Sequence, residues 1–374
     1  MRKIWAVALK ELRQAVRDPL TLMLLVGLPS LMLLMYGYAL NFDVRHVALA
    51  VQDRDRSPAS RDLLASFGES TYFDIVADLP AGADLDAIAQ RRIARAVLVI
   101  PEDFSETLAA GRRAAVQLIV DGSDARTATT LLGYASALVA ETNIAMIRGT
   151  LRRTGTPAPP SIDYQPRAWY NPELQSTQFL IPGLIGFILM LTAVLATALS
   201  VVREKERGTM EQLRVTALGP GQLILGKTLP YLGITVAGTF LILLVARVLF
   251  GVVVRGSYLD LLALTLLYLL GALGFGLLVS SVSDSQALAF QFGIILSMLP
   301  SIFLSGFIFP IRSMPVVLQW VTYAFPTRYF LVVLRGIVLK GAGLGPYWRD
   351  VAFLGIYGLA IFSIAWVRLT RKEG

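Results

Sequence analysis

Few residues in this chain can do chemistry by themselves. Its 374 residues include no cysteine and one histidine, His46. Without thiols there is no thiolate nucleophile, no disulfide and no thiolate metal site. One imidazole cannot build a zinc site, and every histidine–nucleophile arrangement would rest on His46, which reads as a surface residue just past a membrane helix. Asp53, Asp55, Asp121 and Asp124 form a mild acidic group that reads as strand-end turns rather than a metal site. No nucleophile–base set stands out, so the sequence predicts no catalytic residues, no metal and no cofactor held by this chain.

One stretch imitates a nucleotide site. Gly221-Gln222-Leu223-Ile224-Leu225-Gly226-Lys227-Thr228 matches the phosphate-loop pattern of Gly, any four, Gly-Lys-Thr. That chemistry needs a preceding strand and a glycine-rich turn whose N–H groups cradle phosphate at a helix start. Here the middle residues Gln-Leu-Ile-Leu are helical in character, and an apolar span follows. The motif is therefore rejected, and any energy source must lie in another protein.

The more informative stretch precedes it. Arg203–Arg207 is a charge run at the end of an apolar span. After Gly208, Thr209 and Gln212 have the spacing of a capping box, and Glu211 favours the dipole of the helix that it opens. Met210, Leu213 and Ala217 then share a face, and Gly219-Pro220 stops the helix. A short amphipathic helix between two spans can sit in a groove of a soluble partner and transmit its motion; a plain connecting loop is the alternative.

The elements that hold these residues are mostly apolar. The chain is 55% hydrophobic and 16% charged, with a mean hydropathy of +0.63. A soluble domain is nearer a quarter charged. The net charge of +8 comes from Lys and Arg beside apolar runs, where they act as topology signals and lipid contacts. No basic stripe marks a soluble domain, so nucleic acid is not an expected partner. The fold class predicted is a polytopic α-helical membrane protein of six transmembrane helices, with an inserted α/β extracytoplasmic domain.

In order along the chain, residues 1–19 make a basic amphipathic helix. Trp5, Leu9, Leu12 and Val16 form its apolar stripe; the helix lies in the headgroup plane or packs on another subunit. A first span covers 20–40. Residues 41–176 alternate β-branched runs with helical patterns, as an α/β domain does, and end in a long helix and a proline-rich linker. Further spans are expected at 177–202, 228–250, 259–282, 286–310 and 350–368. The fourth of these five is broken by Pro300 and partly re-enters. Residues 203–227 form the loop with the short helix, 311–349 form external interfacial helices, and 369–374 form a tail.

Basic residues orient the spans. Five lie before the first span, five in the loop 203–227 (Arg203, Lys205, Arg207, Arg214, Lys227) and three in Arg368–Lys372. Six spans place all three groups on the cytoplasmic side and the α/β domain outside. Gln178, Thr192, Thr197, Gln291, Ser297 and Ser301, with Ser305, are polar positions on spans near Pro182 and Pro300. They line a translocation path or serve as ordinary helix-packing residues.

The sequence resembles the ABC-2 type permeases, in the branch with a large external domain after the first span. The resemblance rests on the amphipathic N-terminal helix, on RExERGTxExL at Arg203–Leu213 and on LGKTLPY at Leu225–Tyr231. The turn Ile100-Pro101-Glu102-Asp103-Phe104, Val120-Asp121-Gly122-Ser123, and the late run from Ser305-Gly306 to Phe325-Pro326 fit the same family. This resemblance implies a permease subunit of a bacterial ABC exporter in the inner membrane, with N- and C-termini cytoplasmic. A separate ABC ATPase subunit would bind the ATP and Mg. A second permease, the same chain or a related paralogue, would complete the pair, and a periplasmic adaptor and an outer-membrane channel are further partners of the branch. The substrates would be hydrophobic or amphipathic compounds. By the same resemblance, Glu204, Glu206, Thr209, Glu211 and Leu213 belong to the coupling segment that engages the ATPase. The competing reading is a membrane-anchored α/β sensor or scaffold without transport.

Overall fold

In a computed structural model, the described residues are 2–39, 44–85, 88, 93–154, 169–171, 175–208 and 219–372. They fall into two compact units, one of Phe42–Pro166 and one of Met1–Asn41 with Arg167–Gly374. Among the described residues, five helices are long and apolar enough to cross a membrane, and Met23–Ala39 is a shorter apolar helix.

The chain opens with α1 (Arg2–Arg17). Next come α2 (Pro19–Leu22), a π-helical turn at Met23–Gly27 and α3 (Leu28–Ala39). The second unit then holds β1 (Val47–Asp53), α4 (Pro58–Gly68), β2 (Phe73–Asp78), β3 (Ala96–Ile100), α5 (Phe104–Ala109), β4 (Gln117–Val120) and α6 (Ala125–Thr154). Its sheet runs β2-β1-β3-β4. β1 lies parallel to β2 and β3, and β4 runs antiparallel to β3.

Every residue of β3, Ala-Val-Leu-Val-Ile, is buried. A strand apolar at every position is what a sheet covered on both faces requires. On one face, Leu49, Leu98 and Ile100 meet Leu63 and Phe67 of α4 and Leu131 of α6. On the other, Ala50, Val97 and Val99 meet Leu79 and Ala94. The acids of this unit fasten turns. Asp53 accepts from Arg56 N–H at 2.9 Å and from Ser60 Oγ at 2.7 Å. Asp55 accepts from Ser105 Oγ at 2.7 Å, so the turns after β1 and β3 are clipped together. Ser57 caps α4 through Ser60 N–H, with Pro58 at its first turn, where a missing N–H costs nothing.

The larger unit continues with α7 (Ser176–Glu206), α8 (Pro220–Phe250), α9 (Tyr258–Val282) and α10 (Gln286–Phe303). After these come α11 (Val316–Thr322), α12 (Pro326–Lys340) and α13 (Trp348–Lys372). α7 is apolar on all sides, and 94% of its most apolar window is buried. Such a helix belongs at the centre of a bundle. It packs against α3, α8, α9, α10 and α12.

α9 approaches α7 closely at Gly276. A Cβ there would lie 2.0 Å from Thr197 Oγ1 and 2.5 Å from Val194 O. Thr197 Oγ1 also donates to Leu273 O across the same contact at 3.1 Å. Further along, Tyr268 Oη donates to Gly186 O at 2.9 Å and meets Thr327 Oγ1 at 3.0 Å, which in turn meets Ser301 Oγ at 3.0 Å. This buried chain joins α7, α9, α10 and α12.

α10 ends at Phe303, short of the full stretch expected to 310. Phe307, 1% exposed, then lies against Gly183 of α7. Backbone that stops being helical inside a membrane needs protein donors. Arg335 of α12 supplies them, to Gly306 O at 3.0 Å, Phe179 O at 3.3 Å and Phe307 O at 3.4 Å. Its guanidinium stacks 3.8 Å above the Phe179 ring. This changes the expectation for 311–349, where interfacial helices were predicted because Arg335 interrupts an apolar run. α12 packs instead on α7, α9 and α13, with Phe330, Leu334 and Ile337 buried. Its arginine is accommodated because carbonyls of Phe179 and of the segment beyond α10 accept from its two terminal nitrogens.

Gly276→Ala should destabilise the protein by about 3 kcal/mol, because its Cβ meets backbone that cannot move aside. Gly233→Ala in α8, where no atom lies within 4 Å of the added carbon, should be neutral or gain about 0.5 kcal/mol. The apparent melting temperature in detergent should fall for the first and hold for the second.

Candidate functional site

The last turn of α7 reads Arg203-Glu204-Lys205-Glu206, and each side chain binds a different neighbour. A helix turn points successive residues about 100° apart, so four charged residues in a row reach outward all round. Arg203 Nη1 meets Asp18 Oδ2 at 2.7 Å, and Nη2 meets Thr21 Oγ1 at 3.3 Å. That fixes the junction of α1 and α2. Lys205 Nζ donates to Ser280 O and sits 3.5 Å from Ser283 O. A cation there satisfies the last carbonyls of α9 and opposes its dipole. Glu206 accepts from Gln286 N–H at 2.7 Å and from the Gln286 side-chain amide. It serves the exposed first N–H groups of α10 as a capping carboxylate would.

Glu204 is the centre. Its side chain is 7% exposed. Lys10 of α1 donates to Oε1 at 2.7 Å, and Lys227 of α8 pairs with Oε2. Glu11 completes the group, 3.0 Å from Lys10 and 3.6 Å from Lys227. Ser200 Oγ donates to Glu11 Oε2 at 3.3 Å. Two lysines and two glutamates thus balance to zero net charge beside a cavity of about 290 Å³ walled by Ala6, Val7 and Leu223. Burial works against the charge on Lys10, but the hydrogen bond to Glu204 and the charge of Glu11 outweigh it and hold its pKa above the ordinary lysine value. Lys10 therefore stays charged across the physiological range.

α1 docks on this group through a narrow face of Ala8, Glu11 and Ala15, all buried. The backbone approaches closely at Gly226 of α8, which lies against Val7 and Ile4 O. The apolar stripe, expected to meet the headgroup plane or another subunit, faces away from the bundle at Trp5, Leu12 and Val16, with 70%, 39% and 54% exposure, while Leu9 is half-buried. The reason is that a buried ion pair with small residues around it lets two helices approach more closely than a tryptophan would.

Beyond the turn, α7 stops at Gly208, whose φ of +68° suits a residue without a Cβ and ends the helix. Residues 209–218 follow, so Thr209, Glu211 and Leu213 lie outside the described residues. Of the predicted coupling residues, the structure places Glu204 inside the bundle and leaves Glu206 exposed at the end of α7. The phosphate-loop imitation at Gly221–Thr228 lies within α8, and its lysine is the one paired with Glu204.

The polar positions assigned to a path separate into two groups. Thr192, Thr197, Ser297 and Ser301 are buried within the protomer. The first three donate to carbonyls of their own helix, and Ser301 meets Thr327. Gln178 is half-buried and Gln291 exposed. Sequence reasoning missed Lys10, Glu11, Asp18, Lys227 and Gln286. One signal was available, since Glu11 is the only acid in α1 and sits among Ala8 and Ala15 rather than among the basic residues.

A bundle of long apolar helices whose polar end is pinned by ion pairs defines a multi-pass membrane protein. The chain belongs to the ABC-2 transporter family: the sequence model described as ABC-2 family transporter protein matches residues 19–367. It is 35% identical over 372 residues to the probable multidrug ABC transporter permease YbhS of Escherichia coli (strain K12), covering 99% of this chain and 97% of that one. It is 30% identical to the probable multidrug ABC transporter permease YbhR of the same strain, covering 99% of each. The inner membrane transport permease YhhJ of that strain is 27% identical over 379 residues.

Removing one partner from a buried ion pair costs about 3 kcal/mol or more, because the other charge is left behind. Glu204→Gln should therefore lower the apparent melting temperature markedly, whereas Glu206→Gln, at an exposed cap, should cost less than about 1 kcal/mol. Thermal unfolding of the purified chain in detergent compares the two.

Proposed function

We propose that this chain is the transmembrane permease subunit of an ABC-2 type exporter, which couples ATP hydrolysis by a separate ATPase subunit to efflux of hydrophobic or amphipathic compounds. The observation that carries this reading is the four-residue charged turn at 203–206. It stands immediately before the predicted coupling helix, Thr209–Ala217, and is tied to α1, α8, α9 and α10 at once. A push on the loop would reach four helices through contacts of fixed length. ATP and Mg stay on the ATPase, and this chain holds no cofactor.

In this reading six helices cross the bilayer, the first being residues 19–39. Both termini and the loop 203–227 then face the cytoplasm, and the unit of 42–166 faces outward. Two permeases pair, as copies of this chain or as this chain with a related one, and a periplasmic adaptor and an outer-membrane channel complete the route. The family membership and the permease relatives support this arrangement. Gln178 and Gln291 are accessible in the single chain and suit a path between two permeases. Thr192, Thr197, Ser297 and Ser301 join such a path only when α7 and α10 move about Pro182 and Pro300.

The test uses two kinds of change in the loop. Glu211→Lys or Leu213→Asp should leave insertion intact, while transport and its stimulation of the partner ATPase fall together by at least about tenfold, as loss of a well-packed contact predicts. Full retention of both would overturn the coupling role. Affinity purification separates this reading from an anchored sensor, because a permease brings an ATPase down with it. The chain has no cysteine, so Gln212→Cys is a unique label site. It should resist impermeant thiol reagents in intact cells.

A further inference from the structure

α1 carries three distinct faces. Ala8, Glu11 and Ala15 are buried against the bundle. Beside them runs the unpartnered stripe of Trp5, Leu12 and Val16, exposed by 70%, 39% and 54%. Beyond the stripe lie Arg2, Lys3, Arg13 and Arg17, all exposed. The only acid of the helix, Glu11, is turned inward and paired with Lys10 and Lys227, so the outer surface is purely basic. A tryptophan, leucine and valine stripe next to a basic row, with no acid between, complements acyl chains below and phosphates above. Charge complementarity favours an anionic surface over a neutral one.

We infer that the outer face of α1 is a docking surface for anionic phospholipid. The inference rests on the membrane placement proposed above and adds a lipid preference to it. On a neutral bilayer the arginines of the basic row have no lipid counter-charge, and α1 is held by the stripe and the ion pairs. On an anionic bilayer each arginine adds about fivefold in affinity.

The experiment places one fluorophore at Val16→Cys in the full chain, reconstituted in nanodiscs that carry a trace of quencher lipid. The quencher headgroup is phosphatidylglycerol in one arm and phosphatidylcholine in the other. Quenching by the anionic probe should exceed quenching by the neutral one by about fivefold or more. In Arg2→Gln/Arg13→Gln/Arg17→Gln the ratio should fall to one. A label at Leu359→Cys, 74% exposed on α13, should be quenched equally by both probes and reports that each variant is folded and inserted. Equal quenching at Val16→Cys in the parent chain would overturn the inference. So would an unquenched label there that becomes shielded only when the ATPase is added, since the face would then dock protein. Absence of quenching at Leu359→Cys would instead count against the membrane placement itself.

Discussion

Three buried charges, Glu204, Glu11 and Lys227, with the half-exposed Lys10 beside them, constrain everything near them. The buried three are tolerable inside a low-dielectric bundle only with their partners, because any one left alone would carry a desolvation cost of several kcal/mol. They come from α1, α7 and α8, so those three helices have one mutual geometry at this end of the bundle. The neighbouring residues extend the constraint. Arg203 fixes the α1–α2 junction, while Lys205 and Glu206 satisfy the end of α9 and the start of α10. The polar end of the bundle is therefore a rigid body organised around one helical turn.

The opposite problem is solved at α10. There the chain leaves helical geometry among apolar surroundings, and its carbonyls need donors. Arg335 provides them while resting on Phe179, and Phe307 fills the space beside Gly183. One arginine thus permits both a shortened α10 and a buried α12. The chain of Tyr268, Thr327 and Ser301 ties the same helices to α7 and α9. Hydrogen bonds that repair backbone at one end and ion pairs that fix helix ends at the other leave apolar packing to fill what lies between.

Much of this was legible in the residues. The β-branched and aromatic runs at 47–51, 72–76, 94–100 and 115–120 lie on strands within two residues; the first and third, on β1 and β3, are nearly continuous in burial, as strands covered on both faces must be, while β2 and β4 are more exposed. The long apolar runs lie on helices for the same reason of burial. The capping serine at Ser57 and the stop at Gly208 follow from local chemistry. What was not legible is which charge meets which. Glu204 and Lys10 are 194 residues apart, and nothing in either local sequence specifies the other. For the same reason the inward face of α1 was not legible, since nothing beside Glu11 in the sequence specifies Lys227. Arg335 argued against a buried α12 because its carbonyl partners are supplied by distant turns.

The central claim is that the charge set around the Glu204–Lys227 contact carries mechanical linkage between α7 and α8. Exchange of all four charges, Lys10→Glu and Glu11→Lys with Glu204→Lys and Lys227→Glu, tests it through ATPase stimulation in the reconstituted complex. The single changes Glu204→Lys and Lys227→Glu should each abolish stimulation, and the fourfold exchange should restore a substantial part of it, because every pair of the set is re-formed in reverse. Singles that retain full stimulation would contradict the account, as would an exchange that folds and assembles yet recovers none.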